Sequence, residues 1–109
     1  MNIDITDEDY QLKMTIFTAL HEIFDPELGI NIVDLGLVYD MLVDSKDQKI
    51  KIEMTLSTPS CPLGGFITGH VKVATLEAAP GYDVIVDLVW EPKWSYDKLT
   101  ETGKAALGL

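Results

Sequence analysis

The run Lys49-Ile50-Lys51-Ile52-Glu53-Met54-Thr55-Leu56-Ser57-Thr58-Pro59-Ser60-Cys61-Pro62-Leu63-Gly64-Gly65-Phe66-Ile67 changes its periodicity midway, and that change sets the fold. Ile50, Ile52, Met54 and Leu56 recur at every second position, the pattern of a strand with one face on a core. From Leu63 onward the apolar residues recur as Ile67, Val71, Ala74 and Ala78, the stripe of a helix that stops at Pro80-Gly81. Between strand and helix lies the turn Thr58-Pro59-Ser60-Cys61-Pro62, which holds the only cysteine of the chain. Proline suits the first position of a helix, where its fixed φ fits and its missing N–H costs nothing, so Cys61 is expected at the N-cap. A thiol there sits over the positive end of the helix, which favours the thiolate, the nucleophilic and metal-binding form. Gly64 and Gly65 would let backbone N–H groups come close to an anion, a metal cluster or a partner.

Upstream, Leu37 to Val43 is apolar and β-prone, and the polar turn Asp44-Ser45-Lys46-Asp47 joins it to the first strand of the quoted run as a hairpin. Thr6-Asp7-Glu8-Asp9 reads as a capped helix start, with carboxylates suited to the helix dipole. Tyr10, Met14, Phe17, Leu20 and Phe24 continue it at helical spacing, and Pro26 ends it. Residues 27–34 read as a loop with at most a short extended piece. Downstream, Asp83 to Trp90 carries apolar residues on both faces and is expected as an interior strand. Ser95 is expected to cap a short last helix through Ala106, with Gly108 as its stop. The order α-β-β-α-β-α predicts a two-layer α/β sandwich: a small mixed sheet with helices on one face, folded as one domain over residues 1–109.

Composition narrows the function. The chain of 109 residues is 47% hydrophobic, enough for one core but not two. Eighteen acidic against eight basic residues leave a formal charge of −10, which repels nucleic acid phosphates and anionic lipid, so neither nucleic acid nor membrane is an expected partner. No stretch approaches the roughly 18 to 20 apolar residues of a membrane helix. The start, Met1-Asn2-Ile3-Asp4-Ile5, is acidic and unlike a secretory signal. A single cysteine forms no internal disulfide and suits a reducing compartment, so a cytoplasmic location is expected.

The candidate site residues each carry two readings. A lone cysteine is also a common small buried hydrophobe, and helix-cap geometry alone leaves both open for Cys61. Ser57, Thr58 and Ser60 serve as turn and capping groups or as part of a site. Asp25 and Asp34 put carboxylates on loops, where one close to a thiolate could share a metal or orient a ligand, although aspartate before proline is also turn chemistry. His70 lies half a turn out of phase with Cys61 and roughly 13 Å along the helix, too far to share one ion easily. His21 borders the apolar stripe of the first helix and reads as a satisfied, half-buried histidine. There is no Cys-x-x-Cys or His-x-x-x-His spacing for a complete zinc site, and no Gly-x-Ser-x-Gly elbow or well-placed base for a hydrolase. Trp90 is expected in the core, and Trp94, beyond the strand, as a site wall.

Four ordered motifs combine these residues: Asp25-Pro26-Glu27, Val33-Asp34-Leu35-Gly36-Leu37-Val38-Tyr39, Met54-Thr55-Leu56-Ser57-Thr58-Pro59-Ser60-Cys61-Pro62 and Val89-Trp90-Glu91-Pro92-Lys93-Trp94. Together with the closing Ala106-Leu107-Gly108-Leu109, they closely resemble the SufT-like and PaaD-like domain family linked to iron–sulfur cluster assembly. The resemblance implies the fold of iron–sulfur assembly domains and a non-enzymatic role in maturing or delivering clusters. It implies Cys61 as the metal-binding cysteine, with Asp25, Thr58 and Ser60 as its neighbours, and a transient iron–sulfur cluster or iron ion as the bound group, with no nucleotide. A single thiolate fills only part of a cluster's coordination, so the implied partners are the assembly machinery, client apoproteins and a second copy in a homodimer. The family also contains helpers of a multicomponent oxygenase in phenylacetate degradation, an alternative role, but this chain lacks the extra cysteine-rich tail that some of them carry. Lys93 stands where the family usually has proline, a departure that loosens this segment.

Overall fold

The computed structural model describes residues 6, 8–26, 28–57 and 64–109. Its elements are α1 (Tyr10–Leu20), β1 (Val38–Asp44), β2 (Lys49–Met54), α2 (Gly64–Ala78), β3 (Asp83–Leu88), a 3₁₀ turn (Tyr96–Lys98) and α3 (Glu101–Leu107). The α-β-β-α-β-α order of a two-layer α/β sandwich is therefore observed. β1 and β2 pair antiparallel as the expected hairpin, and β2 pairs in parallel with β3 through the α2 crossover, giving the sheet order β1-β2-β3.

The alternation of β2 is realised as read: Ile50, Ile52, Met54 and, just past the strand, Leu56 are all buried. Facing them are Ile67 and Val71 of α2 and Ile16 and Leu20 of α1, each fully buried. Burial of one such aliphatic side chain stabilises the fold by about 1.5–3 kcal/mol, so this layer accounts for the docking of both helices. Thr75 continues the α2 stripe, and its hydroxyl is satisfied by the Val71 carbonyl at 2.7 Å. The opposite face of the sheet is open, and one cross-strand row on it runs Leu42, Lys51, Ile85. Lys51 bridges Glu53 at 3.5 Å and Asp87 at 3.4 Å there, and hydrogen bonding and attraction from Asp87 raise its pKa.

Several expectations are corrected. α1 starts at Tyr10 with Asp9 at its N-cap and no side-chain cap, rather than at a cap on Thr6. It ends at Leu20, five residues before Asp25, because the amides of His21, Glu22 and Ile23 tighten onto Thr18, Ala19 and Leu20, and Ile23 then accepts from Ile32. Phe24, placed on the helix stripe, is consequently 53% exposed in an isolated bridge with Asn31. β3 is an edge strand, not an interior one, and Ile85 is 61% exposed. Trp90 is 42% exposed rather than in the core, since β3 stops at Leu88. The last helix is capped by Thr100, whose Oγ1 accepts from the Gly103 amide at 3.1 Å, whereas Ser95 precedes only the 3₁₀ turn and makes no cap bond. Gly108 ends α3 in the left-handed region as expected.

Candidate functional site

In an α/β unit the loop leaving the carboxyl end of a parallel strand and entering the next helix is the usual place for a ligand. Residues 58–63 occupy that place, between the end of β2 and Gly64 at the start of α2. Thr58, Ser60 and Cys61, and with them the expected N-cap position of Cys61, lie outside the described residues. The last described residues before this segment, Leu56 and Ser57, are buried and half-buried.

Of Cys61 and its three expected neighbours Asp25, Thr58 and Ser60, Asp25 is the one whose surroundings are described. It is 1% exposed, and its loop closes on itself. The Asp25 amide donates to Ile30 O at 2.9 Å, the Gly29 amide to Asp25 O at 2.8 Å, and the Leu28 amide to Asp25 Oδ1 at 3.2 Å. A series of backbone hydrogen bonds carries this loop to the end of β2: Ile32 N to Ile23 O, Leu37 N to Ile32 O, and Thr55 N to Leu37 O. The fold thus links the Asp25 loop directly to the strand end that leads into residues 58–63. Thr55, on that link, is 1% exposed, and its hydroxyl has no hydrogen-bond partner among the described residues.

Asp34, the second loop carboxylate considered as a metal or ligand group, has a different task. Its Oδ2 accepts from Asn31 Nδ2 at 2.6 Å and its Oδ1 from Thr100 Oγ1 at 2.9 Å, while its carbonyl takes the Thr100 amide at 2.9 Å. Asn31 Oδ1 in turn accepts the amides of Val33 and Asp34. The 31–36 turn is thereby stapled to the cap of α3. Two glycines make the approach possible. Gly36 has φ +76, and a Cβ there would run into the Lys98 carbonyl; a Cβ on Gly103 would stand 2.6 Å from Asp34 O. Thr100 was not singled out by sequence, because its partner Asp34 lies 66 residues away, whereas Asn31 bonds within its own turn.

The fourth motif joins the same staple. Trp94, expected as a site wall, is half-buried and donates from Nε1 to Leu35 O at 2.6 Å; it is an anchor. Tyr39 donates from its hydroxyl to Pro92 O at 2.6 Å, and Lys98 lies 5.2 Å from its ring centroid. Partial burial, helped by Glu91, raises the Tyr39 pKa above 10.0. Exposed Lys93 therefore sits between two tethered neighbours, and the segment is held without a second proline.

Each histidine has an aromatic neighbour on its own helix. His21 Nδ1 is 2.9 Å from Phe17 O with its ring edge-on to Phe17, matching the satisfied, half-buried reading. His70 lies against Phe66, centroids 4.2 Å apart. Among the described residues, no three His, Cys, Asp or Glu side chains gather as a metal-binding group, and no described helix is long and apolar enough to cross a membrane.

Comparisons with known proteins agree with this architecture. Residues 13–87 match the family model described as iron–sulfur cluster assembly protein. The Fe-S protein maturation auxiliary factor YitW of Bacillus subtilis is 44% identical over 98 residues, covering 90% of this chain and 95% of the relative. The Fe-S protein maturation auxiliary factor SufT of Staphylococcus aureus is 41% identical, covering 80% of this chain and 98% of the relative. Among solved structures, a domain of unknown function from Bacillus anthracis superposes with a TM-score of 0.83 at 35% identity, over 91% of this chain and 93% of that one. The resemblance read from the four motifs is borne out: this chain belongs to the iron–sulfur cluster assembly protein family.

Proposed function

We propose that the chain is an auxiliary factor in the maturation of iron–sulfur proteins, and that Cys61 binds an iron–sulfur cluster or iron ion as cargo in transit. The observation that carries the role is the match, over nearly the whole length of both proteins, to relatives named as maturation auxiliary factors. Support for the residue comes from topology: Cys61 lies on the loop between the carboxyl end of β2 and α2, to which the Asp25 loop is linked through Leu37 and Thr55. Thr58, Ser60 and Asp25 are its proposed neighbours.

One thiolate leaves iron coordination open, so cargo is shared with another protein and released by ligand exchange. A client thiol loses its proton, its sulfur replaces Cys61 at iron, and the Cys61 thiolate is freed to be protonated, with no net oxidation or reduction. On this reading the protein is not an enzyme, uses no nucleotide, works in the cytoplasm as a homodimer, and meets the assembly machinery and client apoproteins. The test is anaerobic transfer: protein loaded with iron and sulfide is mixed with an apo hydro-lyase whose activity requires a [4Fe–4S] cluster. Recovery faster than with free iron and sulfide is expected for wild type and not for Cys61→Ser. Equal recovery with and without the protein would sink the proposed role.

A further inference from the structure

The two long helices lie antiparallel. Ile23, just past α1, is tied through Ile32, Leu37 and Thr55 to the carboxyl end of β2, where the Cys61 segment leads into α2. α1 therefore runs toward that segment and α2 away from it. Between them an open groove of about 630 Å³ has a floor of half-buried Ala19, Ala74 and Ala78 and a wall in Val73, which is 55% exposed. The apolar surface continues through His70 to Phe66, whose exposed ring lies against that histidine near the start of α2. Short side chains on both helices leave room for the ridge of a third.

The fixed charge at this groove is of one sign. Glu22 follows α1 at the end near the Cys61 segment, and Glu77 lies in the last turn of α2 at the other end, so each carboxylate adds to the negative carbonyl end of a helix. Neither helix has a basic residue in its last turn, neither glutamate is paired among the described residues, and no lysine lines the groove. Lys72 of α2 turns to the other side, against β3. A second copy of the chain, at −10, is a poor occupant of such a surface, and a purely apolar segment leaves both carboxylates unanswered.

We propose that this groove docks the client apoprotein through a basic amphipathic helix, with apolar side chains over Ala19, Ala74 and Val73 and with Lys or Arg at Glu22 and Glu77. From His70 to Glu77 α2 rises about 10 Å, or about two turns, so the two cations stand about seven residues apart on the client. Their aliphatic stems lie along the alanine floor and their charged heads stay at the rim. One end of the docked helix then comes to the Cys61 segment, where ligand exchange requires a client thiol. The inference deepens the proposed function and rests on its client.

The test compares wild type with Glu22→Gln/Glu77→Gln and with Asp47→Asn/Glu101→Gln, which removes the same two charges from exposed positions outside the groove. The probe is a fluorescent, cysteine-free amphipathic peptide of about 18 residues with leucine on one helical face and lysine on the other, followed by anisotropy at about 0.15 M salt. Micromolar binding to wild type is expected, at least roughly tenfold weaker for the groove pair and changed less than about twofold for the control pair. No binding to wild type, or equal weakening by both pairs, overturns the groove as a site for a basic helix. The same three proteins, loaded with iron and sulfide, are then mixed with limiting apo hydro-lyase. With loading equal, transfer from the groove pair should be severalfold slower than from wild type and the control pair. Equal transfer from all three takes the client out of the groove and leaves the proposed function standing. Absence of transfer from wild type sinks the proposed function, and with it the client as occupant.

Discussion

Asp25 and Asp34 have the same side chain, both lie on loops between α1 and β1, and both stand in motifs that mark the family, yet the fold uses them differently. Asp34 spends its carboxylate on Asn31 and Thr100, closing a staple between the 31–36 turn and α3. Asp25 is buried in a small closed loop that is linked to the end of β2, where the Cys61 segment begins. A loop carboxylate is therefore not a site group by type or placement; what it touches decides. The comparison can be broken from either side.

The largest effect is expected at Gly36→Ala, which meets both a left-handed backbone and the Lys98 carbonyl. It should cost about 3 kcal/mol or more in urea unfolding, and a loss under about 1 kcal/mol would show that the staple yields. Asp34→Ala should follow with a loss of about 2–3 kcal/mol, since it strips two partners from their acceptor. Cluster loading of the folded fraction should be unchanged, and a selective loss of loading would return Asp34 to the site.

Tyr39→Phe removes one hydrogen bond and should cost about 1 kcal/mol at neutral pH. Its pH signature has a definite sign. With the folded pKa raised above 10.0, the folded protein holds this proton more tightly than the unfolded chain does. This contribution is complete below pH 10.0 and declines as pH rises from there through the folded pKa. Wild type should lose stability more steeply than Tyr39→Phe across that interval, and parallel curves would contradict the raised pKa.

The smallest stability effect is expected at Asp25→Asn, which keeps an oxygen for the Leu28 amide. It should destabilise less than Asp34→Ala. On the proposal that Asp25 neighbours Cys61, removing its carboxylate lowers the thiol pKa, so alkylation of Cys61 at neutral pH should speed up by about twofold or more. An unchanged rate would take Asp25 out of the site.

Much of the fold was legible because pleat and helix impose periods of their own. Ile50, Ile52 and Met54 share a face in a strand and not in a helix, and Ile67, Val71, Ala74 and Ala78 share one on a helix and not in a strand. What failed depended on neighbours that no local pattern names. Ile85 looks the same in sequence whether β3 is covered or lies at an edge, and here it is 61% exposed. Ser95 and Thr100 are equally good caps by type, and contact with Asp34 favours Thr100. Trp90 is exposed because β3 stops at Leu88, and Trp94 is half-buried against the core because the Leu35 carbonyl receives its indole N–H. Of the candidate site, the position of the Cys61 segment between β2 and α2 was legible from the change of period, but the burial of Asp25 was not, since it follows from a loop closed by Ile30 and Leu28.

Ligation of the cargo by Cys61 is tested most directly by reconstituting wild type and Cys61→Ser anaerobically with ferrous iron and sulfide, desalting both and recording visible absorption and iron content. Wild type should retain iron and show sulfur-to-iron charge-transfer bands, and Cys61→Ser should show neither; identical spectra and iron content from the two proteins would contradict ligation by Cys61.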